Sequence, residues 1–265
     1  MHASKIGNLL VRGMLAGLVA ALCAFAVAYG LGEPSVDASI AVEEAQAAHE
    51  AHAGHGAAAA EEEEEAPVSR SVQSTAGLAT GVLVYGVALG GIAALAFCFV
   101  LGRVGRFTPR ATAALTAAAA FTTVYLVPFL KYPATPPAVG NPDTIGKRTT
   151  LFFLMVLLSV LLGVAAIIVG RRLAPRLGNW NATLVAGAGF VLATAVAFVF
   201  LPANEDAVKP SFPAALLWEF RLASLAVQAV LWTAFAVAFG ALAQRLLMPG
   251  PPRTEQVARD VPAAG

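Results

Sequence analysis

Charge is scarce in this chain. Only 12% of its 265 residues are Asp, Glu, Lys or Arg, and 17 basic against 16 acidic side chains leave a formal net charge of +1. No global basic field exists to attract nucleic acid, so no nucleic-acid partner is expected. Cysteine is nearly absent: Cys23 and Cys98 both stand in apolar stretches and lack the spacing of a zinc, haem-attachment or redox motif. Both are expected to be small buried hydrophobes rather than a disulfide. Histidine is also rare, and none of the four falls in a long apolar run, which excludes a membrane haem held by paired imidazoles. No Gly-rich loop ending in Lys-Ser/Thr occurs, so the chain is not itself an ATPase. No catalytic constellation is visible; neither an enzyme nor a resident cofactor is expected.

What is present is hydrocarbon. Hydrophobic residues make up 58% of the chain, and the mean hydropathy is +0.73. A helix rises ~1.5 Å per residue and a bilayer core is ~30 Å thick, so an uncharged apolar run of ~20 residues spans it. Six runs qualify: Gly13 to Gly32, Ser71 to Gly102, Ala111 to Leu130, Thr149 to Gly170, Leu177 to Asn204 and Leu222 to Gln244. The expected fold class is all-α, a polytopic integral membrane helix bundle of about six transmembrane helices, with lipid as its surroundings. It divides into an N-terminal transmembrane helix (1–32), an extracytoplasmic His/Glu-rich loop (33–70), a five-helix membrane domain (71–248) and a disordered cytoplasmic tail (249–265). The first run has the basic start of a signal peptide in Lys5 and Arg12. Its length, the lack of a clean small-x-small cleavage site before Glu33, and the packing face of Gly13, Ala16, Gly17 and Ala20 favour a retained helix.

Lys and Arg set the orientation. Lys5 and Arg12, then Arg103, Arg106 and Arg110, then Arg171, Arg172 and Arg176, then Arg245, Arg253 and Arg259 fall on one side of a six-span chain. Both termini are therefore expected in the cytoplasm of a bacterial-type inner membrane. Lys131, Lys147 and Arg148 on the far side run against the rule. The Gly102-Arg103 and Pro109-Arg110 pairs resemble Gly170-Arg171 and Pro175-Arg176, a hint of internal duplication of the kind transporters use.

The sharpest local signal is His49, His52 and His55 in the outer loop, beside Glu43, Glu44 and the Glu61 to Glu65 run. Imidazoles three apart share a helix face, and neutral imidazole is a preferred ligand of divalent transition metals. The carboxylates add oxygen donors and a field that concentrates cations. A weak capture site is expected here, against the plainer reading of a solvated polar linker. A short helix from Asp37 to His52, capped by Ser35 or Asp37, is expected before it. Glu33, Asp37, Asp143 and Glu219, with Glu205 and Asp206, make an outer rim of carboxylates suited to hard or borderline cations, a pathway mouth. Glu219 and Arg221 read as an interfacial charged pair.

Five prolines between Pro128 and Pro142 preset a stiff, extended third loop, which serves as a gate or as a plain connector. Pro142-Asp143 is placed to cap the fourth helix. At hydrocarbon depth no Asp, Glu or His occurs; the polar candidates are Thr122, Thr123, Tyr125, Thr194 and Gln228.

Three strings carry a family resemblance: Gly32-Glu33-Pro34 with Val36-Asp37 and Glu43-Glu44; Tyr125 to Asp143 followed by Thr144-Ile145-Gly146; and Leu217-Trp218-Glu219-Phe220-Arg221-Leu222-Ala223-Ser224. Together they resemble the CbtA family of predicted cobalt transporter subunits, across nearly the whole chain. That resemblance implies a bacterial inner-membrane subunit that takes up cobalt for cobalamin synthesis. It also implies a small single-span CbtB-type partner with a His-rich end, and five spans where six runs are counted here. Cobalt as cargo comes from the resemblance; the residues alone give a divalent-cation tendency. The rival readings are a non-transporting accessory protein that collects metal for another permease, and a membrane enzyme or assembly factor with an incidental His loop.

Overall fold

In the computed structural model of the chain, the described residues are 3–53, 69–136, 144–204, 208 and 211–248, side chains of 50–53 excepted. They are mostly helical, with no strand among them. Helix α1 (Ala3–Val27) runs through a π-helical turn (Ala28–Gly32) into α2 (Glu33–Ala53). Helix α3 (Arg70–Val72) passes through a second π turn (Gln73–Gly77) into α4 (Leu78–Val100). Helix α5 (Pro109–Ala120), a third π turn (Phe121–Leu126) and α6 (Val127–Lys131) form the next rod; α7 (Ile145–Phe200) and α8 (Ala214–Leu247) follow.

Five of these rods are long and apolar enough to cross a membrane. The fourth is folded double. Gly178 inside α7 has φ 76° and ψ 160°, a conformation open only to glycine. A Cβ on Gly170 would lie 3.2 Å from that of Ala186, whereas sixteen residues of straight helix span ~24 Å. Residues 145–177 and 179–200 are therefore two antiparallel legs, which reconciles five rods with six apolar runs. Gly170 is helical, whereas Gly102 and Gly178 share a positive φ, 75° and 76°.

The bundle is built on glycine. Gly13 and Gly17 of α1 face Gly86 and Gly90 of α4 so closely that a Cβ on Gly17 or Gly90 would overlap a backbone carbonyl oxygen of the other helix. Two four-residue glycine spacings are what let backbones touch where no hydrophobic effect drives association. Helix α8 lies along α1 and α5, and Phe97, Phe235, Phe239, Trp232 and Leu231 fill the core they share. Phe97 meets Phe239 edge-on at 5.1 Å. Val84, Ile92, Phe99, Phe153, Leu161, Val191, Val199 and Val237 face outward, which suits hydrocarbon and not water.

Both ends are tied. At the arginine-rich end, Arg12 donates to the Leu242 carbonyl at 2.6 Å, a cation near the C-terminal end of α8. Thr108 caps α5, its hydroxyl accepting from Ala111 N at 3.2 Å ahead of Pro109. At the opposite end Lys131 Nζ donates to the Phe198 carbonyl at 2.7 Å, in the last turn of the second α7 leg. That local duty accounts for a cation where the positive-inside count opposes one. Cys23 is exposed on the lipid-facing side of α1, not buried as expected; Cys98 is half-buried and both are free thiols.

Candidate functional site

Several sequence expectations change at the acidic end. Helix α1 continues through the π turn into α2, so the segment after Glu33 extends the first span and does not begin a new capped helix. Ser35 is no N-cap: buried, it donates to the Gly32 carbonyl at 2.7 Å, and Ser39 repeats the pattern on Ser35. Glu33 and Asp37 sit one turn apart on the same face and both bind Arg70, with Asp37 Oδ1 at 2.8 Å from its guanidinium. Two of the expected mouth carboxylates thus share one guanidinium, which leaves a single net negative charge there and fastens α2 to α3. Glu219 is exposed and forms no ion pair among the described residues. Arg221 turns instead to the Ala134 carbonyl at 3.3 Å, so the expected Glu219–Arg221 pair is not made. Asp143, Glu205 and Asp206 lie outside the described residues.

Glu43, Glu44 and His49 are exposed on α2. His52 belongs to the same helix, its side chain not described, and His55 and Glu61 to Glu65 lie outside the described residues. Among those described, no three His, Cys, Asp or Glu side chains come together to hold a metal. Thr144 stands at the N-cap of the fourth helix without a side-chain cap bond of its own, and the predicted Pro142-Asp143 cap lies outside the described residues.

Two openings stand at this end. A groove of about 490 Å3 between the Ala28–Gly32 π turn and the start of α8 is walled by Ser35, Leu216, Ala223 and Glu219. A cavity of about 440 Å3 lies under the Pro-rich segment, between Tyr125, Phe129, Tyr132, Phe152 and Arg148. Tyr132 is buried and donates to the Pro202 carbonyl at 2.8 Å; burial pushes its phenol up, which keeps that donor protonated. Together with Lys131 and Arg221, this bond stitches the segment after α6 to α7 and α8, so 131–136 is a fixed wall. The cavity carries a guanidinium on its wall, and the groove a carboxylate.

Sequence reasoning treated Pro128 as the start of a loop, and the structure keeps it in helix. The π turn makes this possible. Its register directs Val127 N to the Thr122 carbonyl, five residues back. The same register aims the Thr123 carbonyl at residue 128, a proline with no N–H. Ser159, 0% exposed, supplies the missing donor from the facing α7 leg. Pro128 in an apolar run was the legible signal; Ser159 as its remedy was not.

A family model described as "Probable cobalt transporter subunit (CbtA)" matches residues 6–244. The chain belongs to the CbtA family. The match covers every described helix except the last residues of α8 and the first of α1, and its span includes Glu33, Asp37, Glu219, the Pro-rich segment and the His loop. With five long apolar rods, this CbtA protein is a multi-pass membrane protein and a member of a cobalt-transporter subunit family. No curated relative and no solved structure matches it.

Proposed function

We propose that the chain is the membrane subunit of a bacterial inner-membrane cobalt uptake system feeding cobalamin synthesis, with both termini in the cytoplasm. The observation that carries the reading is the family match over residues 6–244. Capture falls to His49, His52 and His55 with Glu43 and Glu44, of which Glu43, Glu44 and His49 are exposed on α2; weak imidazole and carboxylate contacts there raise the local concentration of a divalent ion. Entry falls to Glu219, a mouth carboxylate that Arg70 does not pair and that faces the groove beside the first π turn. A small His-rich single-span subunit of CbtB type is the expected partner, in keeping with the family's designation as a subunit. One feature favours a second reading, a metal-collecting accessory to another permease: no carboxylate or imidazole stands within any apolar run.

Cobalt uptake into a cobalt-transport-deficient bacterium distinguishes the two. Transport predicts accumulation that depends on this chain, together with a raised apparent KM in Glu219→Gln. The accessory reading predicts metal binding by the purified protein and no flux.

A further inference from the structure

The buried apolar side chains form two cores with no residue in common. In the first, α1, α4, α5 and α8 meet through Leu9, Ala94, Phe97, Ala117 and Phe239, and Phe121 packs against them. In the second, Val127 and Tyr132 meet Leu151 and Met155 of the α7 hairpin, backed by Phe190 and Phe198. The hairpin packs on α6 and on the third π turn. Only 11% of its most apolar stretch is buried, against 28% to 33% in the other four rods, so it rests on the bundle by a narrow edge. The rod from α5 to α6 therefore serves both bodies, its first half in the bundle and its last half with the hairpin. The change falls within Phe121–Leu126, the π turn.

Helices bend sharply at proline, at π turns, and where a foreign side chain enters the hydrogen-bond ladder. All three coincide here. The π register sets the Thr123 carbonyl opposite Pro128, which has no N–H, and the hydroxyl that binds this carbonyl belongs to Ser159 of the hairpin. The rod is thus weakest in bending where it passes from one core to the other. The hairpin also touches the rod closely at this level: a Cβ on Gly163 would lie 2.8 Å from Thr123 Cγ2. Such a contact is a fulcrum. Toward the acidic end Arg221 of α8 spans the two bodies, donating to the Ala134 carbonyl at 3.3 Å, two residues past Tyr132. That length lies beyond the usual N–H to oxygen range, which makes the tie a weak one.

We propose that α6 and the α7 hairpin form a body that rocks on the bundle of α1, α4, α5 and α8 about the third π turn, with Arg221 on the Ala134 carbonyl as its latch. The fulcrum stands between the two ends of the rod, so opening the seam at the acidic end closes it at the arginine-rich end. Rocking of this kind lets a transporter expose a path to one side at a time. The motion goes beyond the cobalt-uptake reading and does not depend on which ion is carried.

Distances between paired spin labels, measured by electron resonance on the full chain in lipid nanodiscs, test it. The background is Cys23→Ala with Cys98→Ala, and the labels stand at Leu177→Cys on the hairpin and Arg245→Cys on α8, both exposed at the arginine-rich end. Leu177 is ~21 Å of helix from the fulcrum at Gly163, so a swing of about 20° moves it ~7 Å. Two distance populations roughly 7 Å apart are expected. Arg221→Ala, which removes the latch, is expected to raise the share of the shorter one. Pro128→Ala, which restores an N–H opposite the Thr123 carbonyl, is expected to leave a single narrow population. Either shift alone supports the hinge should the other variant not fold. Labels at Lys5→Cys and Arg245→Cys, both within the bundle, are expected to keep one distance throughout. A single narrow hairpin-to-bundle distance in every protein overturns the hinge, as do two populations that neither variant shifts, or a bundle pair that broadens along with the hairpin pair. Cobalt does not enter the readout, so failure of the hinge leaves uptake standing, and failure of uptake leaves the hinge standing.

Discussion

Ser159 carries the most consequence per atom in this protein. Its hydroxyl answers the one carbonyl that the π register and Pro128 together leave without an N–H, and it is buried to 0% exposure. Ser159→Ala is expected to lower stability by ~1 kcal/mol, because hydrogen bonds between membrane helices are modest and the lost donor leaves a buried acceptor. Unfolding in mixed detergent measures it, and Ser159→Thr, which retains the hydroxyl, is expected to recover part of the loss. Arg70 works differently. It is half-exposed, so its two ion pairs contribute little to stability. Their larger effect is on charge: Arg70→Gln releases Glu33 and Asp37, and is expected to tighten divalent-cation binding at the acidic end, seen as a lower apparent KM for cobalt.

Among the elements, the α1–α4 contact and the α7 hairpin each hang on glycine. Gly17→Leu or Gly90→Leu forces side chains between backbones that now touch, with an expected loss of about 1–3 kcal/mol and reduced membrane levels of the protein. Gly178→Ala is expected to cost about 1–3 kcal/mol, since φ 76° with ψ 160° is open only to glycine, while Gly187→Ala, where a Cβ meets open space, should be neutral. The glycine pair in the first span was legible from its four-residue spacing, as were the apolar runs, because length and absence of charge fix a span whatever its neighbours. The π turns were not legible, since they record how one helix accommodates Pro128 or a neighbour and leave no periodic trace. Glu33 and Asp37 likewise look in sequence like free carboxylates; only the fold brings Arg70, thirty-three residues beyond Asp37, onto both. The His cluster is the reverse case: its chemistry is plain in sequence, and most of it lies outside the described residues.

For the molecule as a whole, the described carboxylates and the two openings of the acidic end stand together, while at the arginine-rich end Arg12 binds the Leu242 carbonyl near the end of α8. The α1–α2 rod continues past the first apolar run and carries the proposed capture residues Glu43, Glu44 and His49, all exposed, on its far part. Deleting residues 47–65 is therefore expected to weaken uptake at low cobalt and to leave the rate at saturating cobalt unchanged. An assembly factor with an incidental His loop would show no change at either concentration. The most direct test of the central claim is radioactive cobalt accumulation in a cobalt-transport-deficient bacterium, with this chain expressed alone and beside a small His-rich single-span partner, and nickel and zinc as competitors. Transport by this subunit predicts accumulation that requires the chain and falls in Glu219→Gln at low cobalt. No accumulation with or without the partner, the protein being present in the membrane, would contradict it.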